Sequence, residues 1–152
     1  MKISIMGMDH NELLSGKALA EMGNEIIYIC KDNKRIENIK RGFYTENEKQ
    51  ILRGQKIKRA IDFTDDIKEA LYNSNMCFIS ENDKQNDGAL FHILSAAKEI
   101  GANMCSHTFI VDRSSLPISR SEQIKDTIQN ELNKRESSLT FEVISNPNFL
   151  RS

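Results

Sequence analysis

The sequence predicts an α/β fold with a doubly wound parallel sheet, and three observations carry that reading. Residues 2–6, Lys-Ile-Ser-Ile-Met, form a short apolar strand that runs straight into Gly7 and then into a helical pattern. Residues 26–29, Ile-Ile-Tyr-Ile, are a continuous apolar run of the kind buried on both faces of a parallel sheet. Thereafter short apolar runs alternate with amphipathic helical stretches to the end of the chain.

Each element follows in order. The first strand spans 2–6. The first helix, about 11–22, takes Leu13, Leu14, Ala18, Leu19 and Met22 as its inner face and ends at Gly23-Asn24. The second strand is 25–30. Asp32 or Asn33 caps a short helix through Lys40, which Gly42 stops. Residues 45–53 read as a further, charged helix and 60–63 as the third strand. Asp65 is the expected N-cap of a helix over 66–72. The fourth strand is 76–80, and the polar loop 82–87 after it falls at the carboxyl edge, where such sheets bind ligands. A helix over 87–100 places Leu90, Ile93, Leu94 and Ala97 on one face. The fifth strand is 107–111. Ser119 or Ser121 starts a helix to about Arg135, with Ile124, Ile128 and Leu132 spaced four apart, and 140–144 is the last strand. Asn146-Pro147 turns the chain, because proline disfavours helix at the residue before it. Six strands with right-handed crossovers favour the order 3-2-1-4-5-6 in a single domain over 1–152.

Bulk composition narrows the function. The 152 residues carry 21 Lys and Arg against 22 Asp and Glu, a net charge of −1, which gives no electrostatic case for nucleic acid or an anionic membrane. No apolar run approaches the length of a membrane span, and the start of the chain does not read as a signal peptide. Cys30, Cys77 and Cys105 lack metal-ligand spacing, as do His10, His92 and His107, so no metal is expected and a reducing, cytoplasmic setting is.

The strand–glycine–helix start is the context of the G-x-G-x-x-G dinucleotide fingerprint, whose three positions read here Gly7, Asp9 and Glu12. The first glycine makes the tight turn, the second admits the pyrophosphate, and the third allows close helix–strand packing. Asp9 and Glu12 put two negative charges where a pyrophosphate would meet the helix N-terminus, and the simpler reading is that Asp9 or Asn11 caps that helix. A short-chain reductase is not supported. Tyr28, Tyr44 and Tyr72 are followed four residues on by Asp32, Glu48 and Met76, never by lysine.

Two longer stretches carry a family resemblance: residues 111–118, Val-Asp-Arg-Ser-Ser-Leu-Pro-Ile, and residues 145–151, Ser-Asn-Pro-Asn-Phe-Leu-Arg. With residues 1–7, 18–29, 36–42, 63–74 and 96–101, they resemble the N-terminal domain of the UDP-glucose/GDP-mannose dehydrogenase family, in order and along essentially the whole chain. The resemblance implies a Rossmann domain for NAD and an ancestry in oxidation of a nucleotide-sugar C6 hydroxyl to a carboxylate. It implies cofactor contacts from Gly7, Met8, Asp9, His10, Asp32, Arg35, Ser80 and Ser115. Cys30 stands at the family's ribose-binding aspartate, and a thiol cannot grip two hydroxyls. Asp32, two positions on, is a partial substitute. Arg35 falls where the family often has a basic residue near the adenosine, and on a charged helix it also reads as a solvated side chain. Ser80-Glu81-Asn82-Asp83 replaces the family's V-G-T-P. Ser115 keeps a hydroxyl in place of the family's threonine. Asn148 replaces a glutamate that in the family is a general-base or water-orienting carboxylate, and asparagine cannot take a proton at neutral pH, so no catalytic residue is expected. The family's central helix and substrate domain are not expected in this chain. The reading that follows is a Rossmann-like domain degenerate in cofactor binding and inactive alone. Its remaining role is structural, in binding a protein partner or a second copy, or in binding an unidentified ligand. The alternative is the NAD-binding portion of a functional UDP-sugar 6-dehydrogenase.

Overall fold

The computed structural model describes residues 1–52, 60–79, 87–112 and 119–145. Six parallel strands form one sheet: β1 (Lys2–Met6), β2 (Glu25–Ile29), β3 (Ile61–Thr64), β4 (Met76–Ile79), β5 (Thr108–Asp112) and β6 (Phe141–Ser145), in spatial order β3-β2-β1-β4-β5-β6. This is the doubly wound, Rossmann-like arrangement that the sequence predicts. The helices are α1 (His10–Glu21), α2 (Asn33–Lys40), α3 (Glu46–Leu52), α4 (Ile67–Leu71), α5 (Asp87–Asn103) and α6 (Ser119–Lys134).

Alternation along the strands builds two cores. Ile3, Ile5, Ile26 and Tyr28 face a core shared with Leu13, Leu19, Ile36 and Ile51 of α1, α2 and α3. Ile27, Ile29, Cys77 and Ile79 face the other, with Leu71, Ile93, Ala97 and Ile128 of α4, α5 and α6. The sheet is thus covered on both faces, which is what its near-continuous apolar strands require.

Several elements shift from their expected bounds. Strands β3, β5 and β6 each run one residue later than their apolar runs suggest, because Thr64 pairs with Ile29, and Asp112 with both Ile79 and Ser145. Thr64 and Asp112 are buried polar residues in a parallel register, which an apolar run does not flag. The shift moves the next cap. Asp66, not Asp65, caps α4, its carboxylate accepting from the backbone N–H groups of Lys68 and Glu69 at 3.0 and 3.3 Å. Helix α1 begins at His10, and its inner face is Glu12, Leu13, Gly16 and Leu19. Leu14 and Met22 are exposed, as is Ala18, so the expected face is rotated. Tyr28 causes the rotation. Its hydroxyl donates to the carbonyls of Glu12 and Leu13 at 3.0 and 2.9 Å and needs a residue without a side chain beside it. No helix among the described residues is long and apolar enough to cross a membrane.

Candidate functional site

The carboxyl ends of β1 and β2 and one side of α5 enclose a cleft of about 500 Å³. It lies at the carboxyl edge of the parallel sheet, the edge at which ligands bind in such folds. Its floor is Met6-Gly7-Met8-Asp9, one wall is Ile29-Cys30-Lys31 with Arg35, and the other is His92, Ser95, Ala96 and Glu99.

Gly7 turns the chain out of β1. Its φ of 106° is a conformation that side chains disfavour, and its N–H is held by the Ile29 carbonyl at 2.8 Å. Asp9 follows at the N-cap of α1 with extended backbone, but its carboxylate makes no capping hydrogen bond. The expectation that Asp9 or Asn11 caps through its side chain is therefore corrected: the helix N-terminus is not closed by the Asp9 carboxylate. The expected pair of charges at this turn is corrected too. Glu12 is 2% exposed on the inner face of α1 and lies outside the cleft lining. Of the two, only Asp9 reaches the cleft.

Arg35 is not simply a solvated side chain. Its Nε donates to Glu48 Oε2 at 2.8 Å, and a terminal nitrogen donates to the Met8 carbonyl at 2.8 Å. Glu48 is 1% exposed and belongs to a capping box: its Oε1 accepts from the Thr45 N–H at 3.0 Å, and its own N–H donates to Thr45 Oγ1 at 3.2 Å. Arg35 thus ties the turn after β1 to the start of α3. Asp32 is exposed, lies outside the cleft lining, and accepts from the Arg35 backbone N–H at 3.1 Å as the cap of α2. His10 also lies outside the lining, with Nδ1 at 3.0 Å from Asn47 Oδ1 of α3. The structure therefore brings together Gly7, Met8, Asp9 and Arg35, with Cys30 beside them. Ser80, Ser115 and Asn148 lie outside the described residues.

Lys31, His92, Ser95 and Glu99 join the cleft without having been singled out in the sequence. Three of them form a polar stripe along α5 at helical spacing, beside the apolar face that marks this helix in the sequence. Lys31 Nζ pairs with Glu99 Oε1 at 2.6 Å across the cleft. The lining carries Lys31 and Arg35 against Asp9 and Glu99, so its formal charges balance. Among the described residues, no group of His, Cys, Asp and Glu is placed to hold a metal ion.

The profile of the UDP-glucose/GDP-mannose dehydrogenase family, NAD binding domain, matches residues 1–152. The chain belongs to the UDP-glucose/GDP-mannose dehydrogenase family. It is 28% identical to the UDP-glucose 6-dehydrogenase of Pseudomonas aeruginosa over 157 residues, covering 99% of this chain and 35% of that protein. The UDP-glucose 6-dehydrogenase of Rhizobium meliloti is also 28% identical, over 158 residues, again with 99% of this chain and 35% of the relative covered. The chain thus spans about a third of the length of these dehydrogenase-family relatives. Two solved structures share the fold. The GDP-mannose dehydrogenase of Pseudomonas aeruginosa, in a ternary complex, superposes with a TM-score of 0.75 at 22% identity, over 95% of this chain and 35% of that one. A UDP-glucose dehydrogenase of Pyrobaculum islandicum gives 0.77 at 17% identity, over 94% and 34%.

Proposed function

We propose that this NAD-binding-type domain is degenerate toward NAD. It keeps the phosphate turn of a Rossmann nucleotide site and lacks the acceptor for the adenosine ribose, so its cleft serves a ligand other than NAD. The observation that carries this is the end of β2. Cys30 lines the cleft where the family resemblance puts a diol-binding aspartate. The nearest carboxylate in sequence, Asp32, is committed to capping α2 and does not line the cleft.

The two ends of the cleft fit NAD unequally. The turn at Gly7 and the N-terminus of α1, whose N–H groups the Asp9 carboxylate does not cap, keep the backbone of a phosphate site, with the Asp9 charge as its one opposing feature. The ribose end does not suit NAD, because a thiol is a weak acceptor and cannot bind two hydroxyls together. Asn148 adds to this reading from the sequence alone, since an amide cannot act as a general base at neutral pH.

The test is calorimetric titration with NAD. The expected Kd is above about 1 mM, or less than roughly 4 kcal/mol of binding. A submillimolar Kd would overturn the reading and favour the alternative, the NAD-binding portion of a working nucleotide-sugar 6-dehydrogenase.

A further inference from the structure

We propose that the cleft takes an adenine nucleotide phosphorylated on the ribose 2′ oxygen, as in NADP, in preference to one with a free 2′ hydroxyl. This rests on reading the cleft as a Rossmann nucleotide site, and it names the class of ligand. In such sites the residue ending β2 meets the adenosine ribose. A carboxylate there binds the free diol and repels a 2′ phosphate, while a nearby arginine accommodates the phosphate.

The end of β2 in this chain has the second character. Cys30 removes the negative charge, and Lys31 follows it immediately in the same wall of the cleft. Arg35 lies one turn into α2 on that wall. Two cations therefore flank the position that a carboxylate would hold in an NAD site. Both retain capacity for a phosphate. The Lys31 side chain is 80% exposed and meets Glu99 in an ion pair open to solvent, a kind of contact worth little. A phosphate dianion offers Lys31 more charge and more acceptor oxygens than that carboxylate does. The bonds of Arg35 to Glu48 and Met8 draw on two of the five N–H groups of its guanidinium. They also hold the group rigid, which lowers the entropy cost of a further contact.

Asp9 stands at the turn after β1, where its charge opposes the 5′ phosphates of ligands with and without a 2′ phosphate alike and so does not decide between them. Glu99 is the partner that Lys31 would exchange.

The experiment is calorimetric titration of the whole chain with 2′,5′-ADP and 5′-ADP, and with NADP and NAD. The expected result is that each 2′-phosphorylated ligand binds at least about tenfold tighter than its counterpart, as charge-assisted phosphate contacts warrant. Lys31→Ala, at a side chain open to solvent, is expected to weaken 2′,5′-ADP by about threefold or more beyond any loss it causes for 5′-ADP. Cys30→Asp is expected to reverse the preference. Equal or tighter binding of 5′-ADP and NAD overturns the proposal while leaving a nucleotide site in place. Failure of all four ligands to bind overturns the nucleotide reading itself. A 2′-phosphate preference that survives both substitutions overturns the assignment to this wall of the cleft.

Discussion

The hydroxyl of Tyr28, on β2, occupies the space in which a β-carbon on Gly16 of α1 would stand. The relationship explains how helix and strand pack closely although the third fingerprint position is Glu12. Close packing is supplied one turn later, by Gly16, and is locked by the Tyr28 hydroxyl, whose single proton is shared between the carbonyls of Glu12 and Leu13. Tyr28 also stacks on Phe63 of β3, with ring centroids 5.4 Å apart. Its ring has no room to withdraw.

Gly16→Ala is therefore expected to destabilise the protein by about 1–3 kcal/mol despite the better helix propensity of alanine. Tyr28→Phe is expected to cost about 1 kcal/mol through its lost hydrogen bonds. The two effects should not add. Removing the hydroxyl removes the nearest clash but leaves the ring carbon that bore it too close, so the double variant should recover only part of the loss. Urea unfolding of the four proteins measures the cycle, and strict additivity would contradict the packing described.

A second expectation concerns Arg35 and Glu48. The carboxylate of Glu48 is 2% exposed and the Arg35 side chain 32%. Removing the arginine leaves a buried carboxylate without its cation and frees the Met8 carbonyl at the phosphate turn. Arg35→Ala is expected to cost about 2–4 kcal/mol, toward the lower end of what a broken buried pair costs because the arginine is partly exposed. Glu48→Gln, which keeps the size and one acceptor, should cost less. Thermal or urea unfolding decides it. Equal and small losses would mean that the pair contributes no more than a surface contact.

Much of the fold was legible because its signals are local. Strand order follows from six apolar runs and crossover handedness. Ile124, Ile128 and Leu132 are all fully buried, as their four-residue spacing predicts. What the sequence hid depends on contacts between distant residues. The inner face of α1 is set by Tyr28, twelve residues beyond Gly16. The cap of α4 moved because Thr64, a polar residue, continues the ladder beside Ile29. The site behaved in the same way. Gly7 is read from its place in a fingerprint and Cys30 from the family resemblance, and both line the cleft. The tie of Arg35 to the Met8 carbonyl spans 27 residues, and that of Lys31 to Glu99 spans 68. Neither is visible in a local pattern.

The three cysteines offer a check on the core. Cys77 lies fully buried on β4, and burial pushes its thiol up from 9.0 to about 12, whereas Cys105 is exposed and Cys30 half-buried. Under native conditions near pH 8, a thiol-reactive disulfide reagent should modify Cys105 and Cys30 and spare Cys77, which should react only in denaturant. The same shift has a stability consequence. Below pH 9 the Cys77 thiol is protonated in both states and makes no difference. Between pH 9 and about 12 the unfolded thiol loses its proton while the native one keeps it, so this group lowers stability as pH rises. A Cys77→Ala variant should lose less stability than the parent across that window, measured by denaturant midpoint. Rapid modification of all three thiols in the folded protein would contradict the placement of β4.

The last expectation concerns restoring an NAD site. The structure places Asp9 and Cys30 in the lining of the cleft and Glu12 outside it. Asp9 lines the cleft and makes no capping hydrogen bond, so Asp9→Gly removes a charge and a β-carbon from the phosphate turn at a cost of a few tenths of a kcal/mol. Cys30→Asp places an acceptor for the ribose diol beside it on the wall of the cleft. Together these two changes are expected to tighten NAD at least about tenfold, bringing its Kd below about 1 mM. Glu12 faces the interior of the protein and not the cleft, so adding Glu12→Gly should leave NAD affinity where the double variant set it. That third change should instead lower stability, by about 1 kcal/mol from helix propensity alone. Calorimetry gives the affinities, and circular dichroism during urea unfolding gives the stabilities. If Asp9→Gly with Cys30→Asp remains folded and still fails to bind NAD, then the ends of β1 and β2 do not limit this cleft, and the reading of Cys30 as the lost ribose contact falls with that result.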